Sequence, residues 1–147
     1  MRARTFLGFD YGEKYIGVAV GGEHSRLAQP LTTVRCGKTA PDWRRLSGLI
    51  AEWKPDALVV GLPLNMDGTE NPLTRAARRF GNRLKDRYNL PVHMVDERLT
   101  SRAAQHTLYE AGIPARRHKE SLDKLAAQTI LQAFLDEQPP AAGGRDG

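Results

Sequence analysis

The chain has 147 residues, 40% hydrophobic and 27% charged, with a formal net charge of +5 and a single cysteine, Cys36. That length suits one domain with a real core, since a compact domain holds roughly 100–200 residues, and the composition excludes a disordered or fibrous chain. The lone thiol excludes an internal disulfide and a cysteine cluster for structural zinc, and no apolar run approaches the roughly 20 residues a bilayer requires.

Thr5-Phe6-Leu7-Gly8-Phe9-Asp10 reads as a strand, and after the turn at 11–14 the run from Tyr15 to Val20 reads as its hairpin partner. A third strand is expected from about Leu31 to Arg35. Pro41-Asp42-Trp43 opens a helix with Trp43, Leu46, Leu49, Ile50 and Trp53 at helical spacing, and Lys54-Pro55 stops it. The apolar run Ala57-Leu58-Val59-Val60-Gly61 suits a central strand covered on both faces, followed by a loop through Asn65-Met66-Asp67-Gly68-Thr69.

A long helix from about Pro72 to Tyr88 presents Leu73, Ala76, Ala77, Phe80, Leu84 and Tyr88 inward. Pro91 to Val95 is the fifth strand. Thr100 or Ser101 caps a helix running to Ala111, which Gly112-Ile113-Pro114 ends, and a basic loop Arg116-Arg117-His118-Lys119 follows. Ser121 caps the last helix, whose buried side holds Leu122, Leu125, Ala126, Thr129, Ile130, Ala133 and Phe134.

This order predicts one three-layer α/β domain over residues 1–138, a five-stranded mixed sheet flanked by helices, with 139–147 a disordered Pro, Ala and Gly tail. Met1 to Arg4 leads into a strand rather than a leader, so the expected location is cytoplasmic.

Three acids close or open these elements. Asp10 ends the first strand, where its carboxylate stands at the sheet rim unless Asp10-Tyr11-Gly12 is merely a turn. Asp96 and Glu97 close the fifth strand, and side-chain alternation sends them to opposite faces, so one serves a site and the other supports it. The alternative is an ion pair to Arg98 or Arg102, contributing roughly 0–1 kcal/mol at a solvated edge. Asp123 lies three, four and seven residues from Ala126, Ala127 and Ile130, on the sheet-facing stripe, though an acid there also complements the helix dipole.

Together Asp10, Glu97 and Asp123 offer hard oxygen ligands for Mg²⁺ or Mn²⁺, the chemistry of phosphodiester hydrolysis. The positive charge favours a polyanionic partner, with nucleic acid the leading class. Lys14, Arg98, Arg102, Arg116, Arg117 and Lys119 lie in segments near the expected site, where they neutralise phosphates or simply meet solvent. Arg75, Arg79 and Arg83, with Arg78 beside them, form a stripe expected to face water. Few aromatics interleave the basic residues, Tyr11 and Tyr15 being nearest, which favours backbone recognition of a structured duplex or junction over base reading.

Phe9-Asp10-Tyr11-Gly12 with Ile16 to Val20, Gly61-Leu62-Pro63-Leu64-Asn65-Met66-Asp67-Gly68-Thr69, Asp96-Glu97-Arg98-Leu99-Thr100-Ser101 and Asp123-Lys124-Leu125-Ala126-Ala127 resemble, in this order, the YqgF/RuvX family over about residues 5–135. The resemblance implies an RNase H-like fold related to Holliday junction resolvases and a cytoplasmic nuclease that matures the 5′ end of pre-16S rRNA. It also implies Asp10, Glu97 and Asp123 as the catalytic, metal-binding acids; Asn65 and Asp67, in the loop after the acid-free strand, are expected to bind or position nucleic acid instead. Resolution of a four-way DNA junction and noncatalytic rRNA binding are the competing expectations. The chain would act as a monomer or, at a symmetric junction, as a homodimer. Unlike better-known RNase H-like nucleases, the strand ending at Gly61 carries no acid, so Glu97 would substitute from the neighbouring strand.

A nucleotide phosphotransferase would also use a strand-Asp-x-Gly hairpin. Such proteins close two similar domains on the nucleotide, and this chain has one hairpin and no repeat.

Overall fold

The computed structural model describes residues 3–37, 40–97 and 118–138, with 118–124 described by backbone alone. The elements are β1 (Thr5–Asp10), β2 (Tyr15–Gly22), β3 (Ala28–Arg35), α1 (Trp43–Trp53), β4 (Ala57–Leu62), α2 (Pro72–Tyr88), β5 (Val92–Asp96) and α3 (His118–Glu137). The expected helix over about 101–111, the Arg116-Arg117 part of the basic loop and the tail from 139 lie outside the described residues.

The strands form one mixed sheet in the order β3-β2-β1-β4-β5. β1 runs antiparallel to β2 and parallel to β4, which is parallel to β5, so β1, β4 and β5 end at the same sheet edge. β3 begins at Ala28 rather than Leu31, and it absorbs Pro30 because it is an edge strand with no outer neighbour among the described residues. The register against β2 shifts between Val18 and Ala19, where Ala19 faces Pro30. β2 likewise runs past the expected Val20 to Gly22.

Local chemistry sets the helix ends. Asp42 caps α1 by accepting the Arg45 backbone N–H at 3.2 Å, and Lys54 ends it in the left-handed conformation before Pro55. α2 starts with a reciprocal capping box: the Asn71 side chain accepts the Thr74 N–H, the Thr74 hydroxyl accepts the Asn71 N–H, and Pro72 stands in the first turn. α3 starts at His118, earlier than expected. His118 and Lys119 therefore belong to the helix rather than to a loop, and Ser121 lies inside it rather than capping it; Lys and Glu are good helix formers and extend the turn backwards.

Alternation in β1 and β4 builds a core on each face. Leu7, Phe9, Leu58 and Val60 pack with Leu46, Leu49, Phe80 and Leu84 of α1 and α2. Phe6, Ala19, Ala57 and Val59 pack with Ala127, Ile130, Leu131, Phe134 and Leu135 of α3. The result is the three-layer α/β arrangement that the element order predicts. α3 lies very close to the sheet over Gly8, where a Cβ would stand 2.8 Å from the Leu131 Cβ. A side chain at Gly8 would lift the helix off β1.

Candidate active site at the carboxyl ends of the central strands

Phe6 and Gly8 of β1 face α3, so alternation puts Asp10 on that same face at the strand end. On β4, Val59 and Gly61 face α3; on β5, Val95 does, and Glu97 follows two residues later. Asp10 and Glu97 therefore meet on the α3 side of the edge where β1, β4 and β5 end. Asp96 is exposed and Glu97 is buried, which separates the two acids that the sequence left as alternatives.

What lets Glu97 reach inward is the missing side chain at Gly61. A Cβ there would stand 2.8 Å from both Cγ and Cδ of Glu97 and would also collide with Ile130. The acid absent from β4 and the acid present after β5 thus compete for one volume. Glu97 fills it by crossing over the intervening strand.

A side-chain hydrogen bond joins Asp10 and Glu97. Burial raises the Asp10 carboxyl well above the ordinary carboxylate range, and the Glu97 charge and the hydrogen bond raise it further. Glu97 is also raised, mainly by burial and then by Asp96, while the bond from Asp10 pulls it back down. Burial and mutual repulsion both oppose two charges side by side, so the pair is driven toward sharing a proton. Oxygen donors forced together in this way fit a hard divalent cation, whose charge would offset both the burial and the mutual repulsion.

Position 123 falls in α3 three, four and seven residues before Ala126, Ala127 and Ile130, all buried, but the Asp123 side chain lies outside the described residues. No group of three or more His, Cys, Asp or Glu side chains gathers among the described residues. Lys14 is exposed in the β1–β2 turn, and its carbonyl accepts the Cys36 N–H at 2.8 Å. Lys119 lies in the first turn of α3, while Arg98, Arg102, Arg116 and Arg117 are outside the described residues.

Asn65 is exposed in the loop after β4, and its amide is used within that loop: Nδ2 donates to the Thr69 hydroxyl at 3.0 Å, and Oδ1 accepts from Asn71 at 2.8 Å. Asp67 caps the same loop by accepting both the N–H and the hydroxyl of Thr69, at 3.0 and 2.6 Å. Gly68 closes it with a positive φ of 89°. The loop is therefore a pre-shaped platform at the end of β4. Sequence reading missed the role of Gly61; the signal was present as an acid-free β4 end beside an acid-bearing β5 end.

A family profile described as RuvX, Holliday junction resolvase, matches residues 4–137. The chain is 49% identical over 138 residues to a protein of Aeromonas hydrophila named "Putative pre-16S rRNA nuclease", spanning 94% of this chain and 99% of that one. A protein of the same name from Nitrosococcus oceani is 50% identical over 137 residues, spanning 93% and 90%. Among solved structures, Thermus thermophilus RuvC bound to a Holliday junction superposes with a TM-score of 0.55 at 17% identity, covering 93% of this chain and 99% of that chain. The fowlpox virus Holliday junction resolvase does so with a TM-score of 0.55 at 13% identity, covering 91% and 99%. These likenesses show the fold to be RNase H-like.

Proposed function

The chain belongs to the RuvX family, and on that footing we propose that it is a metal-dependent endonuclease of structured nucleic acid that matures the 5′ end of pre-16S rRNA in the cytoplasm. The observation that carries this reading is the hydrogen-bonded pair of half-buried Asp10 and buried Glu97, two carboxyls side by side at the shared end of β1, β4 and β5. Such a pair is costly to keep for structure alone, because burial and like charge both oppose it. The names of the 49–50% identical relatives support the rRNA substrate.

Asp10 and Glu97, joined by Asp123 from α3, would hold a Mg²⁺ or Mn²⁺, which when bound activates water and stabilises the departing oxygen of a phosphodiester. The chain's own part is positional. β1 and Gly61 fix the two carboxyls, Glu97 is buried, and any proton the pair holds would be given up on loading. Lys14, Lys119, Arg98, Arg102, Arg116 and Arg117 would neutralise the flanking phosphates, and Asn65 and Asp67 would shape the loop against the substrate.

The test is cleavage of a 5′-extended 16S rRNA precursor and of a four-way DNA junction, each with Mg²⁺, Mn²⁺ or chelator. Divalent-dependent cleavage of the precursor is expected, lost by at least about 100-fold in Asp10→Asn, more than the loss of an outer partner costs. Equal activity of Asp10→Asn would sink the assignment, and cleavage of the junction alone would transfer it to DNA. Salt-sensitive rRNA binding without any divalent-dependent cleavage would leave only an assembly factor.

A further inference from the structure

Asp10 sits between Phe9 and Tyr11, and alternation sends those two aromatics to the opposite side of the sheet, into the core under α1 and α2. There a cavity of about 170 Å³ opens at the same sheet edge, lined by Tyr11, Pro41, Ala76, Arg79, Phe80 and Arg83. Its floor is rigid. The Phe80 ring, only 2% exposed, lies 5.0 Å from Tyr11 and 6.0 Å from Trp43 between centroids. Its rim is cationic, since Arg79 and Arg83 are one helical turn apart on α2 and both exposed.

Two other arginines of α2 are engaged elsewhere: Arg78 pairs with Glu70 at 2.7 Å, and Arg87 lies 4.3 Å over the Trp43 ring. Arg79 and Arg83 meet no carboxylate among the described residues. Both guanidiniums instead line the same cavity as the Tyr11 ring. A plain solvated stripe would not converge on one concave aromatic site.

We propose that Arg79 and Arg83, with Tyr11, form a second phosphate subsite that grips the backbone of the nucleic acid whose scissile group lies at Asp10 and Glu97, on the far side of the same sheet edge. The ligand assignment rests on the proposed function. Paired guanidiniums suit a phosphodiester because each presents a planar fork of donors, and the aromatic floor adds a surface for the adjoining sugar or base without reading sequence. A strand crossing the edge past Gly12 would touch the carboxylates on one side and this cavity on the other. The subsite would thereby set the register of the cut.

The experiment measures binding of the full chain to a duplex-containing rRNA precursor fragment in chelator, as a function of salt, so that no cleavage is needed. Arg79→Gln/Arg83→Gln should weaken binding at least tenfold and flatten the slope of log K against log salt by about 0.9, the change for one neutralised phosphate. A charge-matched control, Arg75→Gln/Lys85→Gln on the exposed face of α2 outside the cavity, should change the slope far less. Equal losses in the two variants would reduce the effect to net charge and overturn the subsite, as would an unchanged slope. A titration with inorganic phosphate and with uridine monophosphate separates the sources: tight binding of either through Arg79 and Arg83, with nucleic-acid binding untouched, would also overturn it. Because binding is read without cleavage, an inactive but salt-sensitive wild type would defeat the nuclease assignment and leave the subsite standing.

Discussion

Gly61 and Glu97 share one volume: the space where a β4 side chain would stand holds the Cγ and Cδ of Glu97, each 2.8 Å from the position of a Cβ at 61. Gly61→Ala should therefore displace the carboxylate without disturbing the strand register. Overpacking costs about 1–3 kcal/mol of stability, and a misplacement near 1 Å costs about 100-fold in rate. The complementary swap is sharper. Glu97→Ala should be inactive, and adding Gly61→Asp should recover part of the lost rate by returning an acid to β4. A double variant no better than Glu97→Ala, with native circular dichroism, would show that the two positions are not interchangeable.

The shared proton makes stability pH-dependent in a direction opposite to the usual salt-bridged acid. Both Asp10 and Glu97 are raised in the native state above ordinary values of 3.8 and 4.5. The native chain thus binds protons more tightly than the unfolded one, and their contribution is fully present below those ordinary values and lost as pH rises through the raised ones. In chelator, Tm should fall from the mildly acidic range toward pH 8. Asp10→Asn keeps a hydrogen-bond donor toward Glu97 without its titration, so it should flatten that fall and melt higher than wild type at pH 8. Parallel melting curves for the two proteins would refute the shared proton.

Loading a divalent ion should reverse the same loss. At a Mn²⁺ concentration of about 100 times its Kd, native-state binding adds about 2.7 kcal/mol. The apparent affinity should rise with pH while the Asp10 proton is being displaced and level off above the raised pKa. Calorimetry in buffers of different ionisation enthalpy should show proton release on loading that is larger at acidic pH and fades as pH rises through the raised pKa. No proton release, or an equal Tm gain in Asp10→Asn, would remove the ion from this pair.

Much of this was legible because alternation and helical spacing are local. β1, the run at β4, the α2 boundaries and the opposite facing of Asp96 and Glu97 all follow from neighbours within a few residues. Two misreadings came from residues with double meanings. Pro30 signals a loop but is permitted on an edge strand, and Ser121 signals a cap but also sits within a helix already begun at His118. The Gly61–Glu97 arrangement depends on the parallel register that sets Gly61 opposite Val95, a pairing across the sheet that no local pattern encodes. The cavity at Tyr11 was hidden for the same reason: Arg79 and Arg83 satisfy the pattern of a solvated stripe, and only the fold brings Tyr11 and Pro41 beside them.

Thr74 is the point through which α2 fixes the loop at the active edge. Fully buried, it reciprocates the Asn71 cap and donates its hydroxyl proton to the Pro63 carbonyl, just after the β4 end. Thr74→Val preserves shape but leaves the part-buried Pro63 oxygen and Asn71 N–H without this partner, at up to about 1–3 kcal/mol each where water cannot replace it. The loss should appear first in the loop 65–69, whose hydrogen bonds run through Asn65 to Asn71. Hydrogen exchange should show faster exchange at Gly68 and Thr69 amides, while β1 amides stay protected, and cleavage should fall more through KM than through kcat. Uniform acceleration across β1 and β4 would instead mark Thr74 as a plain core residue with no particular link to the loop.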